Sequence, residues 1–263
     1  MAALTRFGMP AVFIGHGSPM NALEENTYTR AWRQFGESIA KPSAVLAVSA
    51  HWVTRGVGVT AMDHPRTIHD FGGFPSELFA LEYPAPGSPQ LAGRVRDLLA
   101  PMDAEMDGSW GLDHGTWSVL VHVLPEHDVP VVQLSLDITQ PAAFHYALAK
   151  RLAPLRDEGV LILGSGNVVH NLRTARWGPA AAPHDWAVQF NAAVRDALQR
   201  KDHAALIDYD RMGEAARLSV PTAEHYLPLL YIAGLQGEDE GLSFLSDGIG
   251  LGSISMLSFA VGR

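Results

Sequence analysis

The sequence predicts a layered α/β protein, and three observations carry that reading. Short, nearly continuous apolar runs recur along the chain, as strands covered on both faces require. They alternate with longer segments whose apolar residues return at helical spacing. The 263 residues are 47% hydrophobic and 18% charged. That is enough for a large core, and it excludes a disordered, collagenous or coiled-coil chain.

Taken in order, the strands are expected over 11–15, 44–50, 57–61, 131–136, 160–164 and 253–261. The helices have readable starts. Ser88 followed by Pro89 fits an N-cap with proline at the first helical position, and Leu91, Val95, Leu98 and Leu99 then share one face until Pro101. After Pro141, the residues Phe144, Leu148, Leu152 and Leu155 mark a second helix. Asp185 is the expected cap of a third, with Trp186, Phe190, Val194 and Ala197 on its inner face. Thr222 is the expected cap of a fourth helix running to about Gly234, with Pro228 kinking or shortening it. No repeat, low-complexity tract or linker interrupts the chain, so residues 1–263 are read as one domain. The Pro/Gly-rich stretch from His64 to Pro89 is a long excursion, of a length usually functional or disordered. Phe71, Phe74, Phe79 and Tyr83 argue against disorder and are read either as a pocket wall or as ordinary core cover.

Charge and composition narrow the partners. Lys and Arg total 19 against 28 Asp and Glu, a net charge of −9. Without a basic run, nucleic acid is not an expected partner. No apolar stretch approaches a membrane span, and none near the start fits a signal peptide, so a cytoplasmic location is the expectation. There is no cysteine, which rules out disulfides, thiolate metal sites and a cysteine nucleophile. A transition metal here must be held by imidazole and carboxylate, and there are twelve histidines to draw on.

Their positions are informative. His16 follows the first apolar run, His51 follows the second, and His170 lies a few residues past 160–164. In open α/β sheets, ligands bind outside the carboxyl ends of the strands. If these strands are parallel neighbours, three histidines reach one sheet edge. One histidine after a strand is ordinarily a capping residue. Three such placements, each beside Gly, Ser or Asn, point to a shared site. His225 falls in the first turn expected after Thr222, where the helix dipole disfavours the imidazolium and so favours the neutral form that a metal needs. His114 precedes another apolar run and also has access to a pocket. His64, His127, His145, His184 and His203 are read as solvated or structural, His122 as core or half-buried, and His69 is left unassigned. The sequence has no nucleophile elbow, Walker loop or His-Glu-x-x-His helix.

At these residues the sequence resembles a known family. GHGSPMN (15–21), SAHW (49–52), TIHDFGGFP (67–75), YPAPGSP (83–89), DHGTW (113–117), GSGNVVHNLR (164–173) and PTAEHYLPLLY (221–231) are similar to the class III extradiol ring-cleavage dioxygenases, in particular their 4,5-DOPA dioxygenase extradiol branch. The motifs span nearly the whole chain in order. The resemblance implies a single-domain, three-layer α/β/α fold around a central, mostly parallel or mixed sheet. It implies one non-haem Fe(II) for activity, or Zn(II) as purified. His16, His51 and His225 would be metal ligands. His170 would be the acid–base residue, near enough to join the ligands when substrate is absent, and His114 would hydrogen-bond oxygen or substrate. More distant members use a glutamate as third ligand. Here Glu224 adjoins His225, so Glu224 is the alternative ligand, or a carboxylate that orients a histidine.

The implied reaction is extradiol opening of a catechol-type diol by O2. Three ligands on one face of a metal leave room for a bidentate diol and oxygen. His170 would remove a hydroxyl proton, and His170 or His114 would later assist O–O cleavage. A zinc-dependent hydrolase with the same histidines is the alternative, and a closed, non-catalytic metal-binding protein is a third reading.

Overall fold

The computed structural model describes residues 8–262 except 177, 179 and 180. The strands are β1 (Ala11–Gly15), β2 (Ala44–Thr54), β3 (Val57–Thr60), β4 (Ala104–Asp107), β5 (Val131–Asp137), β6 (Val160–Gly166), β7 (Leu242–Ser246), β8 (Ile249–Gly250), β9 (Ile254–Ser255) and β10 (Ser258–Val261). The helices are α1 (Thr27–Ser38), α2 (Ser76–Phe79), α3 (Pro89–Leu99), α4 (His114–Val123), α5 (Ala142–Arg151), α6 (Pro154–Asp157), α7 (Asp185–Gln199), α8 (His203–Ile207), α9 (Glu214–Ser219) and α10 (Leu227–Gly234).

Eight strands form one mixed sheet in the order β4-β3-β5-β2-β6-β1-β10-β7. Its centre, β5-β2-β6-β1, is parallel throughout. The condition on which the sequence reading rested is therefore met: β1 and β2 both pair in parallel with β6, which lies between them. Gly15 stands opposite Gly166, and Ser49 opposite Ser165. β10 and β7 close one side antiparallel, and β8 pairs with β9 as a separate ribbon.

The apolar runs of the central strands divide by the pleat. Phe13, Leu46, Val48, Leu134 and Ile162 face one core, shared with Val95, Leu148, Phe190, Val194 and Leu229 of α3, α5, α7 and α10. Val12, Ile14, Val45, Ala47, Leu161 and Leu163 face the other, with Trp32 and Phe35 of α1 and Trp117 and Leu120 of α4. Burial on both faces explains why these strands lack hydrophobic alternation. The α/β/α expectation holds.

Several boundaries differ from the sequence reading, each for a local reason. The fourth helix starts at Leu227, not Thr222, and Pro228 occupies its first turn, where a missing N–H costs nothing. His225 thus precedes the helix. The pattern through Leu155 is cut by Pro154: α5 ends at Arg151, and Leu155 belongs to the short α6. Asp185 is the first residue of α7 rather than its cap, a position that suits its charge to the helix dipole. The expected 253–261 strand divides into β9 and β10. Helix α4 shows no apolar stripe because it is buried on nearly every side, His114 and His122 included. Among the described residues no helix is long and apolar enough to cross a membrane.

One buried ion pair ties the far side of the fold together. Arg156 donates from Nη1 and Nη2 to Glu240 at 2.9 and 2.8 Å, from Nε to the Met9 carbonyl at 2.7 Å, and from Nη1 to the Leu235 carbonyl at 2.9 Å. It fastens the entry of β1 to α6 and to the end of α10. Glu240→Ala leaves a buried guanidinium without its counter-charge, so we expect a loss of about 3–5 kcal/mol, read as a lower urea midpoint at unchanged slope.

A second prediction concerns acid. His145 is fully buried with its Nδ1 at 3.1 Å from the Tyr231 hydroxyl, and burial lowers its pKa from 6.5 to about 4. The unfolded chain binds this proton first. Stability held by neutral His145 is whole above about pH 6.5 and is lost as pH falls towards about 4, a difference of roughly 3 kcal/mol. His145→Gln should flatten this part of the melting temperature against pH curve.

Candidate active site and metal centre

The site lies at the carboxyl edge of the parallel strands. His16 is the first residue after β1, and its amide donates to the Gly166 carbonyl at the end of β6 (3.1 Å). His51 lies within β2, which runs further than the sequence suggests. Pairing with β5 jumps from Val48 opposite Leu134 to Val53 opposite Leu136, and His51 sits in that irregularity. A bulged strand can aim a side chain that a regular pleat would not. The Ser49 hydroxyl accepts from the His51 amide (3.2 Å) and donates to buried Asp113 (2.6 Å). His225 arrives from the turn before α10. Its carbonyl accepts from the Asn167 amide (2.8 Å) and passes so close to β6 that a Cβ on Gly166 would lie 2.2 Å from it. Glycine is required there by backbone approach.

The three imidazoles form a near-regular triangle, with ring centroids 5.1 Å (His16–His51), 5.5 Å (His16–His225) and 5.1 Å (His51–His225) apart. Each Nδ1 has a polar partner. The Ser165 hydroxyl lies 3.0 Å from His16 Nδ1 and donates its own proton to the Gly115 carbonyl at 2.5 Å. It must therefore accept from His16, which leaves Nε2 with a free lone pair. Asp70 Oδ2 lies 3.3 Å from His51 Nδ1, and Glu224 Oε1 lies 3.2 Å from His225 Nδ1. On the inner side, His16 Nε2 and His51 Nε2 are 3.3 Å apart, and His225 Nε2 is buried with no hydrogen-bond partner. One ligand atom from each of the three lies within 4.8 Å of the others.

Electrostatics favours the same chemistry. Burial above all, with repulsion from the neighbouring imidazoles, holds His16 and His225 well below the usual histidine pKa. Burial lowers His51 to about 4 despite the opposing pull of Asp113, Asp70 and Glu224. These imidazoles are neutral at neutral pH, the form a metal would need. For His225 the cause is burial, not the helix dipole that the sequence suggested. The donor set, three converging neutral nitrogens with one orphaned, fits a mid- to late-row divalent metal.

The remaining candidates are near the triangle. His170 stacks on His225, centroids 3.5 Å apart and planes 3° from parallel, and stands outside the three-atom group. Burial lowers its pKa to about 4. His114, the first residue of α4, packs against His51 at 3.9 Å. Glu224 reaches the back of the His225 ring, the orienting position that the sequence left open beside the ligand role. A cavity of about 460 Å³ opens over the triangle, lined by His114, His170, Phe71, Phe74, Leu172 and Ile254 among others. That volume suits a small aromatic molecule. The aromatic excursion serves two purposes. Phe71 and Phe74 wall the cavity, while Leu78 and Tyr83 are fully buried in the core.

Sequence reasoning missed the partners behind the ligands: Ser165, the Ser49–Asp113 pair and Asp70. Asp70 adjoins the unassigned His69, whose Nε2 contacts the Leu81 carbonyl. Nothing in sequence spacing links residue 70 to residues 51 and 114. Of the histidines read as solvated or structural, His145 is buried and structural, His184 contacts the nearby Thr174 carbonyl, and His203 meets the Tyr146 hydroxyl from a distant part of the chain. His122 is buried, as read, with Nε2 at 2.7 Å from the Asn21 carbonyl.

An α/β/α sheet with three imidazoles gathered at its carboxyl edge defines an enzyme-like scaffold built around a potential metal centre. Residues 10–261 match the model for the catalytic LigB subunit of aromatic ring-opening dioxygenase, and the chain belongs to that family. It is 51% identical to a 4,5-DOPA dioxygenase extradiol of Escherichia coli K12, over 97% of this chain and 95% of that one. A Beta vulgaris protein of the same name is 40% identical, over 86% and 87%. The crystal structure of an uncharacterized E. coli K12 protein superposes with a TM-score of 0.84 at 46% identity, covering 96% of this chain and 99% of the other. The chain is a dioxygenase, which decides against the zinc hydrolase and the non-catalytic alternatives.

Gly115 tests how tightly the scaffold sets His51. A Cβ there would lie 2.5 Å from Ser49 Oγ and 2.8 Å from His51 Cδ2. On an open helix Gly→Ala gains about 0.5–1 kcal/mol. Gly115→Ala should instead lower the melting temperature, at an overpacking cost of about 1–3 kcal/mol, and reduce oxygen uptake. A stabilised, fully active variant would contradict this geometry.

Proposed function

We propose that residues 1–263 form one catalytic domain that opens a catechol-type diol, DOPA-like or related, by extradiol cleavage with O2. His16, His51 and His225 would hold Fe(II), and Zn(II) would suit the same nitrogens. The observation that carries this reading is the convergence of three neutral imidazoles, with the His225 Nε2 unpartnered, on the floor of an aromatic-walled cavity. Bound Fe(II) would supply electron exchange between diol and O2, which Zn(II) cannot.

The chain's own residues supply binding and proton handling. Phe71 and Phe74 present ring faces and edges to a flat aromatic substrate. Phe71 meets His114 edge-on at 5.5 Å, so the same wall borders the proposed hydrogen-bonding residue. His170 borders the cavity with an unprotonated ring, so its lone pair can take a proton from a diol hydroxyl, as a weak base since burial lowers its pKa to about 4, and return it later to oxygen. Its stack on His225 fixes the ring's plane. His114 offers a second imidazole to substrate or oxygen.

The roles separate experimentally. His16→Ala, His51→Ala and His225→Ala should each lose iron. His170→Ala should keep most of it and lose about 10²–10⁴-fold in turnover. Metal analysis beside oxygen uptake on iron-loaded protein reads both. Equal metal loss in all four variants would remove the distinct role of His170. A panel of catechols bearing different side chains, followed by product spectra, tests the reaction. Oxygen uptake by none of them would refute it.

A further inference from the structure

We propose that Asp70 is a positioning residue that holds the rings of His51 and His114 together, so that the aromatic wall of the cavity and the metal-binding triangle are set by one carboxylate. This rests on the ligand role given to His51 above. Asp70 Oδ2 lies 3.3 Å from His51 Nδ1, and Oδ1 lies 2.9 Å from His114 Nδ1. The same Oδ1 accepts the His114 backbone amide at 2.9 Å, at the N-terminus of α4. Each oxygen lies beside a different ring at ion-pair distance, and the hydrogen bond from the His114 amide fixes the carboxylate between them.

The two rings need such a clamp. They lie 3.9 Å apart at 48°, a contact that by itself selects no orientation. A carboxylate beside Nδ1 favours the ring proton there and Nε2 as the lone-pair nitrogen. For His51, Nε2 is the nitrogen that faces His16 at 3.3 Å. Asp70 immediately precedes Phe71, and a Cβ at Gly72 or Gly73 would touch nothing within 4 Å. Asp70 thus anchors the start of the wall, with open space beside the two glycines that follow. Ser165 and Glu224 serve one histidine of the triangle each, whereas Asp70 joins a proposed ligand to a residue of the cavity.

The test uses full-length protein loaded with Co(II), whose visible spectrum reports ligand geometry. Asp70→Ala should weaken Co(II) binding by about 10–100-fold in chelator competition and alter the spectrum. Asp70→Asn keeps the volume and one acceptor oxygen, so it should fall between Ala and wild type. With a catechol and iron, kcat should fall more than KM rises. Melting temperatures should stay close to wild type, because the side chain borders the cavity and is absent from both apolar cores. Unchanged affinity and spectrum in Asp70→Ala would overturn the assignment, as would losses matched by unfolding in both variants. Failure of wild-type protein to bind Co(II) would overturn it together with the metal site. If wild type binds Co(II) but opens no catechol ring, the proposed reaction fails while the positioning role is still read from affinity and spectrum.

Discussion

Everything in the site depends on the parallel pairing of β1 and β2 with β6. Two strands distant in sequence are brought to one edge by hydrogen bonds to a third, and their carboxyl ends are aligned by register, with Gly15 opposite Gly166 and Ser49 opposite Ser165. A shift of one residue would turn each alternating side chain to the opposite face. The two separate cores forbid that shift, because Val12, Ile14, Leu161 and Leu163 fill one and Phe13 and Ile162 the other. The burial of ordinary aliphatic residues thus sets where the imidazoles meet.

Convergence alone would not make a metal site. Protonated histidines would repel one another, and rings free to rotate would present either nitrogen. The fold answers both problems from the rear. Burial removes the proton from His16, His51 and His225, and Ser165, Asp70 and Glu224 engage the outer nitrogens. Ser165 shows the logic most fully: its donation to Gly115 leaves it only an acceptor's part toward His16. Neutrality and tautomer are both settled by protein groups.

What could be read from sequence follows from where the information is local. Continuous apolar runs reveal strands covered on both sides, and a histidine straight after such a run, like His16, is legible as an edge residue. His51 shows the limit: it follows an apolar run but lies inside a longer β2, at an irregular register that depends on β5. Thr222 has the chemistry of a cap, yet Pro228 fits the helix only in its first turn, which moves the start of α10 to Leu227. Helix α4 is buried nearly all round and carries no period. Asp70, Ser165 and Asp113 act across long sequence separations, and nothing in their spacing marks them. For His225 and His114, the resemblance of the motifs rather than position alone suggests roles.

The excursion between β3 and α3 shows why core and site cannot be separated here. Its far half is structural: Tyr83 is buried and donates to the Leu124 carbonyl at 2.8 Å, and Leu78 packs in the second core. Its near half carries Asp70, Phe71 and Phe74 at the cavity. A loop anchored only at its ends would let the aromatic wall move independently of the imidazoles. Tyr83 instead fixes one end of the segment to the end of α4, while Asp70 touches the start of the same helix through the His114 amide. Both ends of the segment therefore rest on α4, the element that also places His114 and, through Gly115, abuts His51. The cavity wall and the imidazole triangle are referred to one rigid helix, which is how a loop-borne wall can keep a fixed distance from a sheet-borne cluster.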